Sequence, residues 1–222
     1  MRVLELFSGS RSFSKVAEKR NHDVYCVDNV PYPNTDWVGD IREFDFGLLP
    51  LIWGDVDVVW ASPPCTAFSV ACIGKKWVKG EVFTPKTLDA LHGIQILYRT
   101  INIIQRLQDL KPSLLFYIEN PRGKMRKSPI WDTFSNKRRT VTYCQYGDTR
   151  MKPTDIWTND FRWNPKPMCK NGDPCHVSAP RGSQTGTQGL KGNHERSKIP
   201  SELCLEIIKS AEIVESEIKK HG

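Results

Sequence analysis

Short apolar runs alternate with helical patterns along the first two thirds of the chain, and this alternation limits the fold more than any other feature. "RVLELF" precedes a helix-like "SFSKVAEKR", "DVYCVD" and "DVDVVWA" follow, and a long helical stretch leads to "SLLFYI". Strands separated by helices in this way predict an α/β domain with a mostly parallel central sheet flanked by helices. In the long stretch Leu88, Leu91, Ile94, Leu97, Ile101 and Ile104 recur every three or four residues. That spacing lays one apolar stripe along a helix and reads as core packing. A chain of 222 residues suffices for one such core and not for two full-sized ones.

Composition shifts after Asn159. "FRWNPKPMCKNGDPCHVSAPRGSQTGTQGLKGNHERSK" is dense in Gly, Pro, Ser, Thr and Asn, so residues 160–198 are expected as a loop-rich insertion. Leu203, Ile207, Ala211, Val214 and Ile218 restore a helical spacing. Residues 199–222 are therefore expected as an amphipathic helix packing back on a core of residues 1–159. The seven cysteines are odd in number and "MRVLELF" carries no leader pattern, which predicts reduced thiols and a soluble, cytoplasmic protein. No apolar segment approaches the roughly 18–20 residues of a membrane span. The 32 Lys+Arg against 25 Asp+Glu, a net +7, favour a polyanionic partner, with a basic but unoccupied surface as the alternative.

Several strand ends carry polar groups. "FSGSRSF" follows the first strand, and the second ends in Asp28. A Gly-containing turn lets a ligand approach the backbone, and an acid on the next strand suits ribose hydroxyls. Gly9 is the only glycine in that turn, which fits a ligand without a pyrophosphate; a plain strand-to-helix turn is the competing view. "VGDI" adds Asp40, and "YIENPRGKMR" ends a strand with Glu119. In "ASPPCTAFS" the two prolines end a strand because they have no N–H to donate, leaving Cys65 at an exposed position that suits a nucleophile. Strand ends of a parallel sheet converge, so Phe7, Asp28, Asp40, Cys65 and Glu119 are expected around one crevice.

The order "ELFSGSRSF", "VDNV", "GDI", "SPPCTAFS", "YIENPRGKMR", "YGDTRMKPTDIWTN" and a late "RSKIP" resembles the cytosine-C5 DNA methyltransferase family. The resemblance runs from Leu4 to about Thr158 and resumes near Ser197. It implies a Rossmann-like S-adenosylmethionine-dependent methyltransferase fold and a covalent mechanism on cytosine in DNA. Cys65 would add to C6 as a thiolate while Glu119 holds a proton at N3. For the cofactor, the resemblance assigns Phe7 to the adenine face, Gly9 to close backbone approach and Asp28 to the ribose. It assigns Asp40, with Ile41 beside it, to the adenine amino group, Pro64 to the cofactor's edge and Ser197 to its methionine end. A cytoplasmic enzyme of a prokaryote, or of a virus in a prokaryotic host, is the implied setting.

Departures from the family pattern bear on these roles. Arg11 and Ser12 stand where the first motif usually carries glycines, which is expected to alter the turn. Arg150, Lys152 and Thr154 stand where the family usually carries Gln and two arginines. Lys152 is then expected to hold the base's O2 or a phosphate, although an amine does not replace a guanidinium fork like for like. The family usually reads sequence through a sizeable region after that motif, and here only residues 160–198 are available. A short sequence context, a protein partner, or a single-stranded substrate whose base flips at lower cost are the alternatives. Two other readings stay open: a catalytically weak nucleic-acid-binding or regulatory homologue, and the same chemistry on RNA. Retention of both Cys65 and Glu119 argues against the first.

Arg122–Arg139 holds seven Lys/Arg against one acid, Asp132, and reads as a phosphate-gripping surface, with a solvated basic face as the alternative. Lys75, Lys76, Trp77 and Lys79 follow Cys65 where the family closes a loop over the base; Trp77 in a packing role is the other view. Cys169, Cys175 and His176 form C-x5-C-H, with His194 and Cys144 as candidate fourth ligands for a structural zinc. Unlinked thiols are the alternative, and Cys26, Cys72 and Cys144 otherwise read as packing.

Overall fold

The computed structural model describes residues 1–45, 47, 49, 56–178 and 192–221. Residues 179–191 of the expected insertion lie outside the described residues. Strands β1 (Arg2–Leu6), β2 (Asp23–Asp28), β3 (Trp37–Val38), β4 (Val58–Ala61), β5 (Leu115–Pro121), β6 (Lys137–Thr142) and β7 (Pro153–Thr158) form one sheet in the order β3-β2-β1-β4-β5-β7-β6. β1 to β5 run parallel, and β7 is antiparallel to both of its neighbours. The central strands read as near-continuous apolar runs because both of their faces are covered: all of β4 and the first six residues of β5 are buried.

Helices α1 (Ser12–Glu18) and α5 (Ser201–His221) cover one face, and α3 (Leu88–Leu110) covers the other. Two short helices, α2 (Ile73–Lys76) and α4 (Asn193–Ser197), sit in the connections. Leu203, Cys204, Ile207, Ile208 and Ala211 of α5 pack against Val3, Trp60 and Tyr117 of the sheet. The leucine and isoleucines among them contribute roughly 1.5–3 kcal/mol each on full burial. Glu212 ties α5 to the end of α1, accepting two hydrogen bonds of 2.7 Å from the Arg20 guanidinium and facing His22 at 2.8 Å.

The expected stripe on α3 is offset. Leu88 and Leu91 are exposed, at 72% and 41%, while Ala90, Gly93, Leu97, Ile101, Ile104 and Leu107 are buried. The small residues Ala90 and Gly93 face inward because the helix's first half lies against the turn that carries Cys65. A methyl group on Gly93 would stand 2.4 Å from the Ala67 Cβ and 3.4 Å from the Phe68 ring. Backbone proximity, not side-chain bulk, decides which face is buried there.

The chain leaves β1 in two directions: to β2 and β3 on one side, and later to β4 and β5 on the other. Such a switch in strand order opens a crevice outside the carboxyl ends of β1 and β4. β7 runs the opposite way, with Thr154 opposite Pro121, so its first residues and the preceding Lys152 arrive at the same edge. The start of the expected insertion is nailed to the core. Trp163 is buried and its indole N–H donates to Glu206 at 2.9 Å, while the buried Asp160 accepts from Tyr117 at 2.7 Å and Ser210 at 2.6 Å.

Gly93→Ala is expected to lower stability by about 1–3 kcal/mol through overpacking, against a gain of about 1 kcal/mol in helix propensity. Urea unfolding measures the net, and a stabilised variant would contradict the close approach of α3 to the Cys65 turn.

Candidate active site

The turn after β1 is built from left-handed residues: Phe7 (φ 62°), Gly9 (φ 45°) and Arg11 (φ 54°). For a non-glycine residue this conformation costs roughly 1–2 kcal/mol, so each must be held in place. The Gly9 amide donates to Asp28 at 2.8 Å, and the other Asp28 oxygen accepts from the Val30 amide at 2.9 Å. Arg11 folds inward. It is buried, donates to the Cys26 sulfur at 3.3 Å and pairs with Glu18. Ser12 accepts from the Ile199 amide at 3.2 Å. The two residues that replace glycines thus serve the scaffold, and neither side chain lines the crevice. Beneath the turn, Glu5 is buried and accepts from the Ser14 amide at 2.9 Å and from its hydroxyl; burial pushes its carboxyl up to about 7.

Beside this turn lies a cleft of about 70 Å³ with apolar walls from Phe7, Ile41, Pro64 and Ile96 and with Asp28 and Asp40 on its polar side. Its volume is well below the roughly 300–1,000 Å³ of full-sized ligand pockets, so it is a slot for one flat group. Among the described residues no Lys or Arg lines it, which suits a nucleoside without phosphates. The Ser8 hydroxyl in the turn is buried and has no hydrogen-bond partner. Asp40 is gripped by the Arg42 guanidinium, which holds its carboxyl down at about 2. Ile96 was missed because the α3 spacing pointed only to packing. Ser197 is exposed, outside the cleft, and donates to the His194 carbonyl at 2.8 Å.

Pro63 and Pro64 end β4, and Cys65 opens a 3-10 turn whose Phe68 and Ser69 amides both donate to the Cys65 carbonyl at 2.9 Å. Asn120 at the end of β5 donates to the Pro63 carbonyl at 2.8 Å. The Lys124 amide donates to the Phe68 carbonyl at 2.7 Å, and a methyl group on Gly123 would stand 2.2 Å from that same oxygen. The Cys65 turn is therefore clamped between α3 and the loop after β5. Trp77 is buried against Phe68 and Phe83 and donates to the Ala67 carbonyl at 2.7 Å, so its role is packing.

Glu119 is buried beside Cys65. Tyr143 donates to it at 2.9 Å, and Ser62 also bonds to it. Burial raises the Glu119 carboxyl, which Lys152 and these hydrogen bonds oppose. Burial raises the Cys65 thiol too, the Glu119 charge adds to this, and Lys152 works against it. The Lys152 ammonium is lowered by burial and supported by the Glu119 charge. It lies 4.5 Å above the Tyr143 ring and donates to the Arg196 carbonyl at 3.1 Å. Arg150 is taken up by Asp148 and by the carbonyls of Arg196 and Lys198. Thr154 is buried and donates to the Lys152 carbonyl at 3.1 Å. Lys152 is therefore the cation that acts on both Cys65 and Glu119. Tyr143 was missed because a single tyrosine in "VTYCQYGD" carries no motif.

The sulfurs of Cys144, Cys169 and Cys175 and a His176 nitrogen all lie within 4.8 Å of one another. Cys144 is 3.1 Å from Cys169 and 3.6 Å from Cys175, and His176 Nδ1 is 3.7 Å from Cys169 and 3.6 Å from Cys175. Of the two candidate fourth ligands, Cys144 joins the group, and it is also buried, as its packing reading expects. His194 packs at a tilt against Tyr32 instead, with ring centroids 5.6 Å apart. In the basic segment, Lys124 is turned inward and Arg126 pairs with the buried Asp155. Arg122, Lys127, Lys137 and Arg138 are exposed, and Lys127 and Arg138 line an open hollow of about 480 Å³ with Trp131 and Phe83.

No family model matches the chain. The "Probable DNA (cytosine-5)-methyltransferase" of Frog virus 3 (isolate Goorha) is 32% identical over 94% of this chain and 99% of its own length. A crystallised E. coli protein, described as a "putative DNA modification methyltransferase encoded within prophage Cp", shares the fold at TM-score 0.52 and 17% identity, over 95% of this chain and 69% of that one. A mutant of Spodoptera frugiperda DNMT2 aligns at TM-score 0.47 and 17% identity over 76% of this chain; the chain spans 53% of that protein.

Glu5 holds its proton more tightly folded, at about 7, than its ordinary value of 4.5. Its contribution to stability is complete below that ordinary value and is lost as pH rises through about 7. The loss is on the order of 3 kcal/mol. Urea midpoints between pH 5 and pH 8 should fall less steeply in Glu5→Gln than in the parent, and equal slopes would contradict the assignment.

Proposed function

The chain belongs to the DNA (cytosine-5)-methyltransferase family, and from that premise we propose that it methylates cytosine C5 in DNA. The observation that carries this reading is the meeting of Cys65, Glu119 and Lys152 at the carboxyl edge of the sheet, with the Glu119 carboxyl raised by burial. A carboxyl raised in this way keeps its proton to higher pH than an ordinary glutamate and can hold it at cytosine N3. Cys65 Sγ adds to C6, the N3 proton from Glu119 balances the charge, and electron density collects at C5. Lys152 supports this step by opposing the rise of the Cys65 thiol. After transfer a base removes the C5 proton, the Sγ–C6 bond breaks with its electron pair leaving on Cys65 as thiolate, the N3 proton returns to Glu119 and the aromatic ring is restored.

S-adenosylmethionine supplies the electrophilic methyl group when bound. The phosphate-free slot fits its adenosine end: Phe7, Ile41 and Pro64 would flank the adenine, while Asp28 and Asp40 would take ribose and amino groups. The inward turn of Arg11 leaves that slot clear, which favours an active enzyme over a regulatory homologue. The Ser197 segment reaches the cofactor turn through the Ile199 amide on Ser12, and we keep Ser197 at the methionine end.

DNA is the proposed substrate, gripped through the exposed Arg122, Lys127, Lys137 and Arg138. The target base must leave its stack to reach a buried carboxyl. The insertion is only residues 160–198, and Asp160, Trp163 and Cys169 within it are buried in the core, which supports a short sequence context, a single-stranded target or recognition by a partner. The reading includes a structural zinc at Cys144, Cys169, Cys175 and His176, since three thiolates and one imidazole are a donor set that zinc prefers. Among the described residues no helix is long and apolar enough to cross a membrane.

Cys65→Ala is expected to lose methyl transfer by about three orders of magnitude or more while calorimetry shows cofactor affinity retained. Glu119→Gln should lose about 10²–10⁴-fold, because an amide cannot donate the same proton. Near-normal turnover in either variant overturns the assigned role.

A further inference from the structure

The zinc ligands join two stretches of chain, and one of them leads into the catalytic centre. Cys144 follows Tyr143 in the turn Tyr143–Tyr146 after β6, and Tyr143 is the residue whose hydroxyl holds Glu119. The other three ligands lie in a loop, residues 164–178, that has no helix or strand of its own. That loop is fastened along the turn at several points. The Cys169 amide donates to the Thr142 hydroxyl at 3.0 Å, the Lys166 amide to the Tyr146 hydroxyl at 2.9 Å, and the Val177 amide to the Thr149 carbonyl at 2.9 Å. The Tyr143 amide in turn donates to the Met151 carbonyl at 2.8 Å, so the same unit delivers Lys152.

Ordering such a loop costs roughly 1–2 kcal/mol of backbone entropy per residue. Past Trp163, its apolar contribution to the buried interior is Cys169, whose sulfur faces the cluster. Hydrogen bonds that contribute about 1 kcal/mol each do not offset that cost. A metal bound by thiolates does, because its binding energy becomes ordering energy. The cofactor turn lies elsewhere in the sheet, after β1 and beside β2 and β4, and shares no ligand with the cluster.

We infer that the Cys144, Cys169, Cys175 and His176 metal site is a positioning device for catalysis: it locks residues 142–152, and with them Tyr143 on Glu119 and Lys152 facing Cys65. The inference rests on the zinc reading and extends it from a cross-link in a loop to control of the reacting groups. The four ligands are positioning residues, since none of them touches the substrate.

The test compares the full chain, purified without chelator, with the same protein stripped of metal and then reloaded with zinc(II) or cobalt(II). We expect one zinc per chain and tetrahedral thiolate–cobalt absorption on cobalt loading. Stripping should speed hydrogen exchange in residues 142–152 by about tenfold or more while residues 1–30 keep their protection. Turnover should fall by a similar factor with cofactor affinity unchanged, and zinc should restore both. Cys175→Ser should behave like the stripped protein, and Cys175→His, which keeps a donor, should retain metal and protection.

Failure to take up either metal removes the zinc reading and the inference together. Stoichiometric zinc with unchanged exchange in 142–152 after stripping leaves a metal site and overturns its positioning role. Exchange that rises equally in residues 1–30 shows a general structural role and also overturns it. Absence of methyl transfer in the loaded parent counts against the proposed reaction, while the exchange pattern still decides whether the metal locks the turn.

Discussion

A carboxyl group at the end of a fully buried strand has no water to ionise into, and the arrangement around Glu119 follows from that fact. Desolvation favours its neutral form, and an acid beside a cysteine is chemically useful only if its proton is aimed and its conjugate base tolerated. Tyr143 and Ser62 supply the hydrogen bonds and Lys152 the opposing charge. Each comes from a different element: the turn after β6, the end of β4 and the approach to β7. The reversed β7 matters because it brings Lys152 to the edge where the parallel strands end.

The same logic governs the turn after β1. Three left-handed residues in five are costly unless glycine fills them, and here only one is glycine. Arg11 offsets its strain by becoming a buried scaffold residue on Cys26 and Glu18, and the Gly9 amide is tied to Asp28. The Arg11 side chain is thereby turned away from the cleft. On the other side of the crevice, Gly93 and Gly123 let α3 and the loop after β5 approach the Cys65 turn closely enough to fix it.

The fold was legible because buried strands in an α/β sheet are apolar throughout, so their order could be read from "RVLELF" to "SLLFYI". Cys65 and Glu119 stood out because two prolines before a cysteine and an acid at a strand end have few structural reasons to exist. The α3 face was misjudged where small residues, invisible to a search for bulky ones, mark the closest contact. Tyr143 and Ile96 were not legible, since their roles depend on which strand lies beside which. Cys144 reads from the sequence as either packing or a ligand, and its nearness to residues 169–176 depends on the fold, which the sequence does not show.

The central claim is that Cys65 forms a bond to cytosine C6. DNA carrying 5-fluorocytosine tests it directly, because fluorine at C5 blocks the final elimination and traps the adduct. The account predicts a denaturation-resistant, cofactor-dependent complex whose digestion places the modified nucleotide on the peptide containing Cys65. Methylation of ordinary cytosine with no trapped complex, or an adduct on any other cysteine, would contradict it.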